Sequence, residues 1–209
     1  MNAGRIILNA EDIAEGAAYL VAREPRFAAT LGEGPLPLRL RPDGFAALLQ
    51  AIVSQQVSVA SADAIWLRLE AADLCHPETI RASGEDGLRS AGLSRQKIRY
   101  ALALADAGID YAALRTVPDD EVIATLTAVP GIGQWTAQIY AMFSLGRADV
   151  FAPGDLALQE SARLLFDLPE RPKPAALATL AQSWAPWRAV AARALFAYYR
   201  IAKQREGIS

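Results

Sequence analysis

The chain has 209 residues, of which 53% are hydrophobic and 21% charged, and its net charge is −2. This balance excludes a disordered polymer and a uniformly basic nucleic-acid coat, and no apolar run approaches the ~18 residues of a membrane span. A single cysteine, Cys75, and a single histidine, His76, exclude a disulfide framework, a four-cysteine iron–sulfur cluster and an ordinary tetrahedral zinc site.

The opening segment, MNAGRIILNAED, has too short an apolar stretch for a signal peptide and soon turns acidic, so a cytoplasmic location is expected. After the Pro/Gly-rich GEGPLPLRLRP, in which LPLRL is the one candidate extended piece, Phe45, Leu48, Leu49, Ile52 and Val53 recur at helical spacing. Asp43 is placed to cap that helix. A polar interruption, SQQVS, precedes a second helix over Ala60–Ala72. Pro77 opens another, leaving Cys75 and His76 as loop or cap residues. Ser94 is placed to cap Arg95–Ala107, with Gly108 as its stop, and Pro118-Asp119-Asp120 opens a helix carrying Val122, Ile123, Leu126 and Val129. The next helix ends at Gly146, and three more are expected over Asp155–Phe166, Pro174–Trp184 and Pro186 to about Lys203. The fold class is therefore all-α. Basic residues gather in SRQKIR (Ser94–Arg99) and at Arg188, Arg193, Arg200, Lys203 and Arg205, a pattern that suits phosphate contacts and solvated helix faces equally.

The least helical stretch between two helices is VPGIG, Val129–Gly133. Pro130 stops the preceding helix, and Gly131 and Gly133 are free to adopt positive φ, so the chain reverses within a few residues. The following helix then starts with amides that have no intrahelical partner, at the positive end of its dipole, where a phosphate could approach. An ordinary tight connection has the same composition. Nine residues beyond Gly146, in DVFAPGDLALQ, Asp155 stands at a helix start, where the dipole favours a carboxylate and where aspartate is also a common cap.

The combination LTAVPGIGQWTAQIYAMFSLGRADVFAPGDLAL resembles the helix-hairpin-helix DNA glycosylase superfamily. Within it, IVSQQVSVASA, the Trp after the hairpin and WAPWRAVAARALF look most like the DNA-3-methyladenine glycosylase II branch. The resemblance runs from about Asp43 to Tyr199. It implies one module over 1–209: two helical lobes around a DNA-binding cleft, with a helix-hairpin-helix at about 121–146. Lobe one would span about 43–146, and lobe two about 1–42 plus 147–209. With only about 40 residues ahead of the helical core, a counterpart of the N-terminal β-domain of some members is not expected.

Carried over residue by residue, the resemblance makes Asp155 the catalytic carboxylate, which stabilises an oxocarbenium-like transition state and orients or deprotonates the attacking water. Trp135 stands where bifunctional relatives such as endonuclease III carry a Schiff-base lysine, so a monofunctional, water-using enzyme without strand nicking is implied. Trp135 and Phe196 match positions lining an aromatic pocket suited to cationic alkylated purines. Tyr140, Trp66, Trp184 and Trp187 are further aromatics with the spacing of core residues. Gln56 matches the wedge that fills the vacated stack, with Gln55 beside it, and Gly131, Gly133 and Thr136 are expected to meet the DNA backbone. Carbonyls near Val129 and Gly131 are candidates for a monovalent cation; no other cofactor and no iron–sulfur cluster is expected. The implied function is excision of 3-methyladenine- or 7-methylguanine-type bases from double-stranded DNA by a monomer, leaving an abasic site, with no membrane partner. Two alternatives stay open: a non-catalytic helix-hairpin-helix DNA-binding module, and a glycosylase for hypoxanthine, ethenoadenine, uracil or a mismatched pyrimidine.

Overall fold

The computed structural model describes residues 3–32 and 34–206, with side chains described to residue 202. In chain order the α-helices are α1 (Ala10–Arg23), α2 (Phe45–Val53), α3 (Val59–Ala71), α4 (Pro77–Ser90) and α5 (Arg95–Asp106), then α6 (Asp119–Thr127), α7 (Gln134–Phe143), α8 (Leu156–Leu165), α9 (Pro174–Ala181) and α10 (Arg188–Glu206). Short 3-10 turns lie at Pro25–Leu31, Ala113–Arg115 and Gln182–Trp184. Among the described residues the only β feature is an isolated bridge between Ile6 and Arg147, so the class is all-α and LPLRL forms no strand. No described helix is long and apolar enough to cross a membrane. The described chain divides into two compact units, one over 41–140 and the other over 3–40 plus 141–206.

In the unit over 41–140, α2 buries Phe45, Leu48, Leu49, Ile52 and Val53, the face that its apolar spacing predicts. Its start differs from expectation. Gly44, at φ +91°, is the N-cap, a conformation an L side chain rarely adopts, and its N–H donates to the Tyr140 hydroxyl at 2.8 Å. Asp43 instead pairs with Arg115 at 2.6 Å. Ser94 caps α5 as expected, its Oγ accepting from the Lys97 N–H at 3.4 Å, and Ser58 caps α3, its Oγ accepting from the Ser61 N–H at 3.2 Å. Three acidic residues, Asp119, Asp120 and Glu121, fill the first turn of α6, where the helix dipole favours them. α5 packs on α2 and α4 through Ile98, Ala101 and Leu104, each essentially inaccessible to solvent.

The other unit begins with a helix that apolar spacing beyond residue 40 did not reveal. α1 has a reciprocal cap: the Asn9 side chain accepts from the Asp12 N–H at 2.9 Å, and Asp12 Oδ2 accepts from the Asn9 N–H at 3.3 Å. Its buried face is Ile13, Gly16, Ala17 and Leu20. Gly16 lets α1 approach α10 closely, since a Cβ there would lie 2.7 Å from Val190 and 2.8 Å from the Trp187 ring. α10 is buried on every side from Ala189 to Leu195, which marks it as the central helix of this unit. Around it, Trp184 stacks on Phe166 at 5.7 Å and takes Phe27 and Phe151 edge-on at 5.3 and 5.5 Å.

The expected basic face at the C-terminus is correspondingly thinner. Arg193 is 1% exposed and points inward. Its guanidinium donates to the carbonyls of Leu38, Ala189 and Met142 at 3.1, 3.0 and 3.3 Å and lies 4.7 Å from the centre of the Phe143 ring. Burial, with the nearby charge of Arg39, lowers its pKa to about 10. Arg188 is bonded to Asp149 through two contacts of 2.8 Å. The side chains of Lys203 and Arg205 lie outside the described residues.

Candidate active site and nucleic-acid interface

The hairpin is built by α6, the turn 128–133 and α7. The Val129 N–H donates to Leu126 O at 3.1 Å and the Ile132 N–H to Val129 O at 3.0 Å, which closes the turn around Pro130 and Gly131. Ile132 is buried beneath it. The first helical i to i−4 bond of α7 is that of the Ala137 N–H to Gly133 O, at 3.0 Å, just ahead of the helix. The amides of Gln134, Trp135 and Thr136 therefore precede the intrahelical ladder, at the positive end of the dipole.

The two glycines of the turn do different work. Gly131 is left-handed, at φ +93°, and its Cα lies against the Tyr100 ring so tightly that a Cβ would collide with it. Gly133 stays outside the left-handed region, a correction to the expectation for the pair. Its missing side chain instead leaves open space at the mouth of α7, where nothing lies within 4 Å of a Cβ position. Gly133 and Gln134 are exposed, and Trp135 is 49% exposed, unusual for so large an apolar residue. Thr136 is buried, and its backbone amide lies at the helix start.

The SQQVS interruption lies in the same unit. The Gln55 Nε2 donates to Gly131 O at 2.9 Å, joining this loop directly to the hairpin. Gln56 adopts a left-handed backbone, φ +55°, and its side chain is exposed. The adjacent residues therefore point to different tasks, one turned onto the protein and one presented outward. At the start of the loop the Lys97 ammonium donates to Val53 O, the last carbonyl of α2, at 2.6 Å. Burial lowers the Lys97 pKa, while the bond sets its charge at the negative end of the α2 dipole.

In the other unit, Asp155 is the N-cap of α8, with its Oδ1 accepting from the N–H groups of Ala157 and Leu158 at 2.9 and 3.1 Å. The bare APGD turn holds it: the Asp155 N–H donates to Ala152 O at 3.0 Å, and the Gln159 side-chain Nε2 donates to Pro153 O at 2.8 Å. Gln159, buried one helical turn after the cap, was missed by motif reading; its i+4 spacing from Asp155 is the signal that marks it. Asp155 is half-buried and the residue after it, Leu156, is 62% exposed. Phe196 on α10 is half-buried, with its ring 6.4 Å from Phe143. Trp184, Trp187 and Tyr140 are core residues, as their spacing suggested, whereas Trp66 lies nearer the surface and donates to Glu70 at 2.8 Å. Tyr100 was not singled out from sequence either; its contact with Gly131 exists only in the folded packing.

Among the described residues no cluster of three or more His, Cys, Asp or Glu side chains could hold a metal ion. Burial and the nearby charges of Glu70 and Asp73 raise the Cys75 thiol pKa, which makes it a poorer nucleophile and ligand. The hairpin carbonyls of Val129 and Gly131 each accept one hydrogen bond, from Ile132 and Gln55, and each carbonyl oxygen has a second lone pair.

Comparison with known proteins bears on this arrangement as a whole. The DNA-3-methyladenine glycosylase 1 of Schizosaccharomyces pombe is 31% identical over 154 residues, covering 69% of this chain and 68% of its own length. The crystal structure of a DNA-3-methyladenine glycosidase from Bacillus halodurans superposes with a TM-score of 0.83 at 32% identity, covering 90% of this chain and 91% of that one. The Schizosaccharomyces pombe 3-methyladenine DNA glycosylase in complex with abasic DNA gives a TM-score of 0.68 at 26% identity, over 90% and 97% of the two chains. Residues 49–187, more than half of the chain and inclusive of the hairpin, Trp135 and Asp155, match one family model, and the chain belongs to the HhH-GPD superfamily of base excision DNA repair proteins.

Proposed function

We propose that this chain is a monofunctional DNA glycosylase that excises alkylated purines of the 3-methyladenine and 7-methylguanine type from duplex DNA. The observation that carries the reading is Asp155: a half-buried carboxylate fixed by two backbone amides at the start of α8, within the segment that matches the base excision family. The relatives named as 3-methyladenine glycosylases support the choice of substrate.

In this reading Gly133 and the first amides of α7, that of Thr136 included, receive a DNA phosphate, which grips the backbone without reading sequence. Gln56 fills the stack that the flipped nucleotide vacates. The exposed Trp135 ring faces the extruded base, and Phe196 is assigned a second aromatic contact. A base alkylated at N3 or N7 carries positive charge, so an electron-rich ring surface favours it over a neutral purine. As the C1′–N bond breaks, its electron pair leaves with the base, and positive charge develops on the sugar. The Asp155 carboxylate offsets that charge while water oxygen bonds to C1′ and passes a proton to Asp155 or to solvent. Trp135 offers no amine for a Schiff base, so the product is an intact strand with an abasic site. Val129 O and Gly131 O are the groups that would hold a monovalent cation, which would supply positive charge for phosphate binding at the turn. The chain acts as a monomer on its DNA.

The test is release of free base from duplexes carrying single defined lesions. Release of 3-methyladenine or 7-methylguanine, with hypoxanthine, ethenoadenine and uracil as comparisons, establishes the activity and its range. Binding to every duplex with release from none would make the chain a non-catalytic binding module instead.

A further inference from the structure

Two neighbouring glutamines in SQQVS face different ways, and the reason lies in the backbone. The loop is anchored at its start by Lys97 on Val53 O, at its middle by Gln55 on Gly131 O and at its end by the Ser58 cap of α3. Between those anchors Gln56 is held in the left-handed region, which is unfavourable for a non-glycine residue and persists only where its surroundings impose it. Its side chain is exposed.

The Gln55 bond also constrains the hairpin. Gly131 O and the Ile132 N–H belong to one planar peptide unit. Gln55 holds the oxygen at 2.9 Å and Val129 O accepts from the nitrogen at 3.0 Å, so that plane is pinned at both ends. The Tyr100 ring closes the third side against Gly131, and the Gln96 amide holds the Tyr100 hydroxyl at 2.7 Å. The orientation of this peptide sets the direction in which the chain enters Gly133 and the start of α7. Gln55, Gln56, Gln96, Lys97 and Tyr100 also line one cavity of about 240 Å³, so the loop, α5 and the turn form a connected support.

We propose that Gln55 is a positioning residue that registers the Gln56 plug on the hairpin, so that capture of a phosphate at the turn and filling of the vacated stack occur at one fixed spacing. This rests on the glycosylase reading above for what the plug is used for, and it moves Gln55 from a DNA contact to an internal latch.

The experiment reads plug insertion without catalysis. A duplex carries an abasic site opposite 2-aminopurine, whose fluorescence responds when a side chain enters the stack. Four proteins are titrated to saturation: wild type, Gln55→Leu, Gln56→Ala and the double variant, with Gln55→Lys added because it keeps a donor for Gly131 O. The expected result is that Gln55→Leu loses the fluorescence change down to the level of Gln56→Ala, that Gln55→Lys recovers it, and that the double variant falls no further than Gln56→Ala. A wild-type response in Gln55→Leu, or a further loss in the double variant, overturns the proposal, because a residue that merely stabilises the fold acts independently of the plug. Base release from methylated duplex is measured on the same wild-type sample: absence of release beside an intact fluorescence response defeats the glycosylase reading and leaves the latch standing.

Discussion

At the scale of single residues, Asp155 carries two jobs that one substitution separates. Its Oδ1 caps α8 through Ala157 and Leu158, and its charge is assigned to the transition state. Asparagine is as good an N-cap as aspartate, so Asp155→Asn keeps the helix start and removes the charge, whereas Asp155→Ala also loses about 1 kcal/mol of stability. Thermal melting of the three proteins is expected to rank wild type and Asp155→Asn together, with Asp155→Ala below them; equal melting of all three would show that the cap contributes nothing. Trp135 is tested by selectivity rather than by rate alone. A desolvated cation–π contact contributes up to about 2 kcal/mol, so Trp135→Leu is expected to slow release of cationic 7-methylguanine by roughly tenfold more than release of a neutral lesion base. Equal slowing of both would remove the electrostatic part of its role.

At the scale of elements, the hairpin predicts opposite phenotypes for its two glycines. Gly131→Ala forces a Cβ into the Tyr100 ring at φ +93° and is expected to lower the melting temperature clearly. Gly133→Ala meets open space, so it is expected to melt like wild type while its affinity for undamaged duplex falls. A normal affinity for Gly133→Ala would place the phosphate elsewhere. Their sequence neighbourhoods are nearly alike, and this division was not legible there, because it depends on what packs beneath each one. Local chemistry was readable where it is local. Ser94 and Pro118 stand at the starts of α5 and α6, and Asp155 caps α8, because a cap is set by its own next three residues. α1 went unseen although Asn9 and Asp12 spell its capping box, since its buried face includes Gly16 and Ala17, which carry little apolar signal. Asp43 was misread as a cap because its pairing with Arg115 is a long-range contact. The burial of Arg193, which its pattern left open between phosphate contact and a solvated face, was illegible for the same reason: the three carbonyls that receive it come from distant turns as well as its own helix. The Gln55 latch belongs with these, being a contact across 76 positions of sequence.

For the whole molecule, stability at alkaline pH should carry the signature of Tyr140. Burial, and then the nearby charge of Asp43, raise its pKa from 10.0 to about 12 against the opposing bond from Gly44. The folded state therefore keeps a proton that the unfolded chain releases above about pH 10. Its contribution is complete below that pH and is lost as pH rises toward 12, an amount on the order of 3 kcal/mol. Denaturant unfolding of wild type and Tyr140→Phe is expected to show a stability difference that shrinks, or reverses, over that window; a constant difference would mean that the hydroxyl is not held neutral by the fold. The monofunctional claim is also a property of the whole enzyme, since any lysine that reached the sugar would defeat it. Incubation with an abasic duplex and borohydride is expected to yield no covalent adduct, and a trapped complex would contradict the water mechanism. The most direct measurement compares wild type and Asp155→Asn for free 3-methyladenine and 7-methylguanine released from methylated duplex DNA, with binding to an abasic duplex measured alongside. The account predicts release by wild type, a loss of at least about a hundredfold in Asp155→Asn, and abasic-duplex binding retained by both. Undiminished release by Asp155→Asn would contradict it.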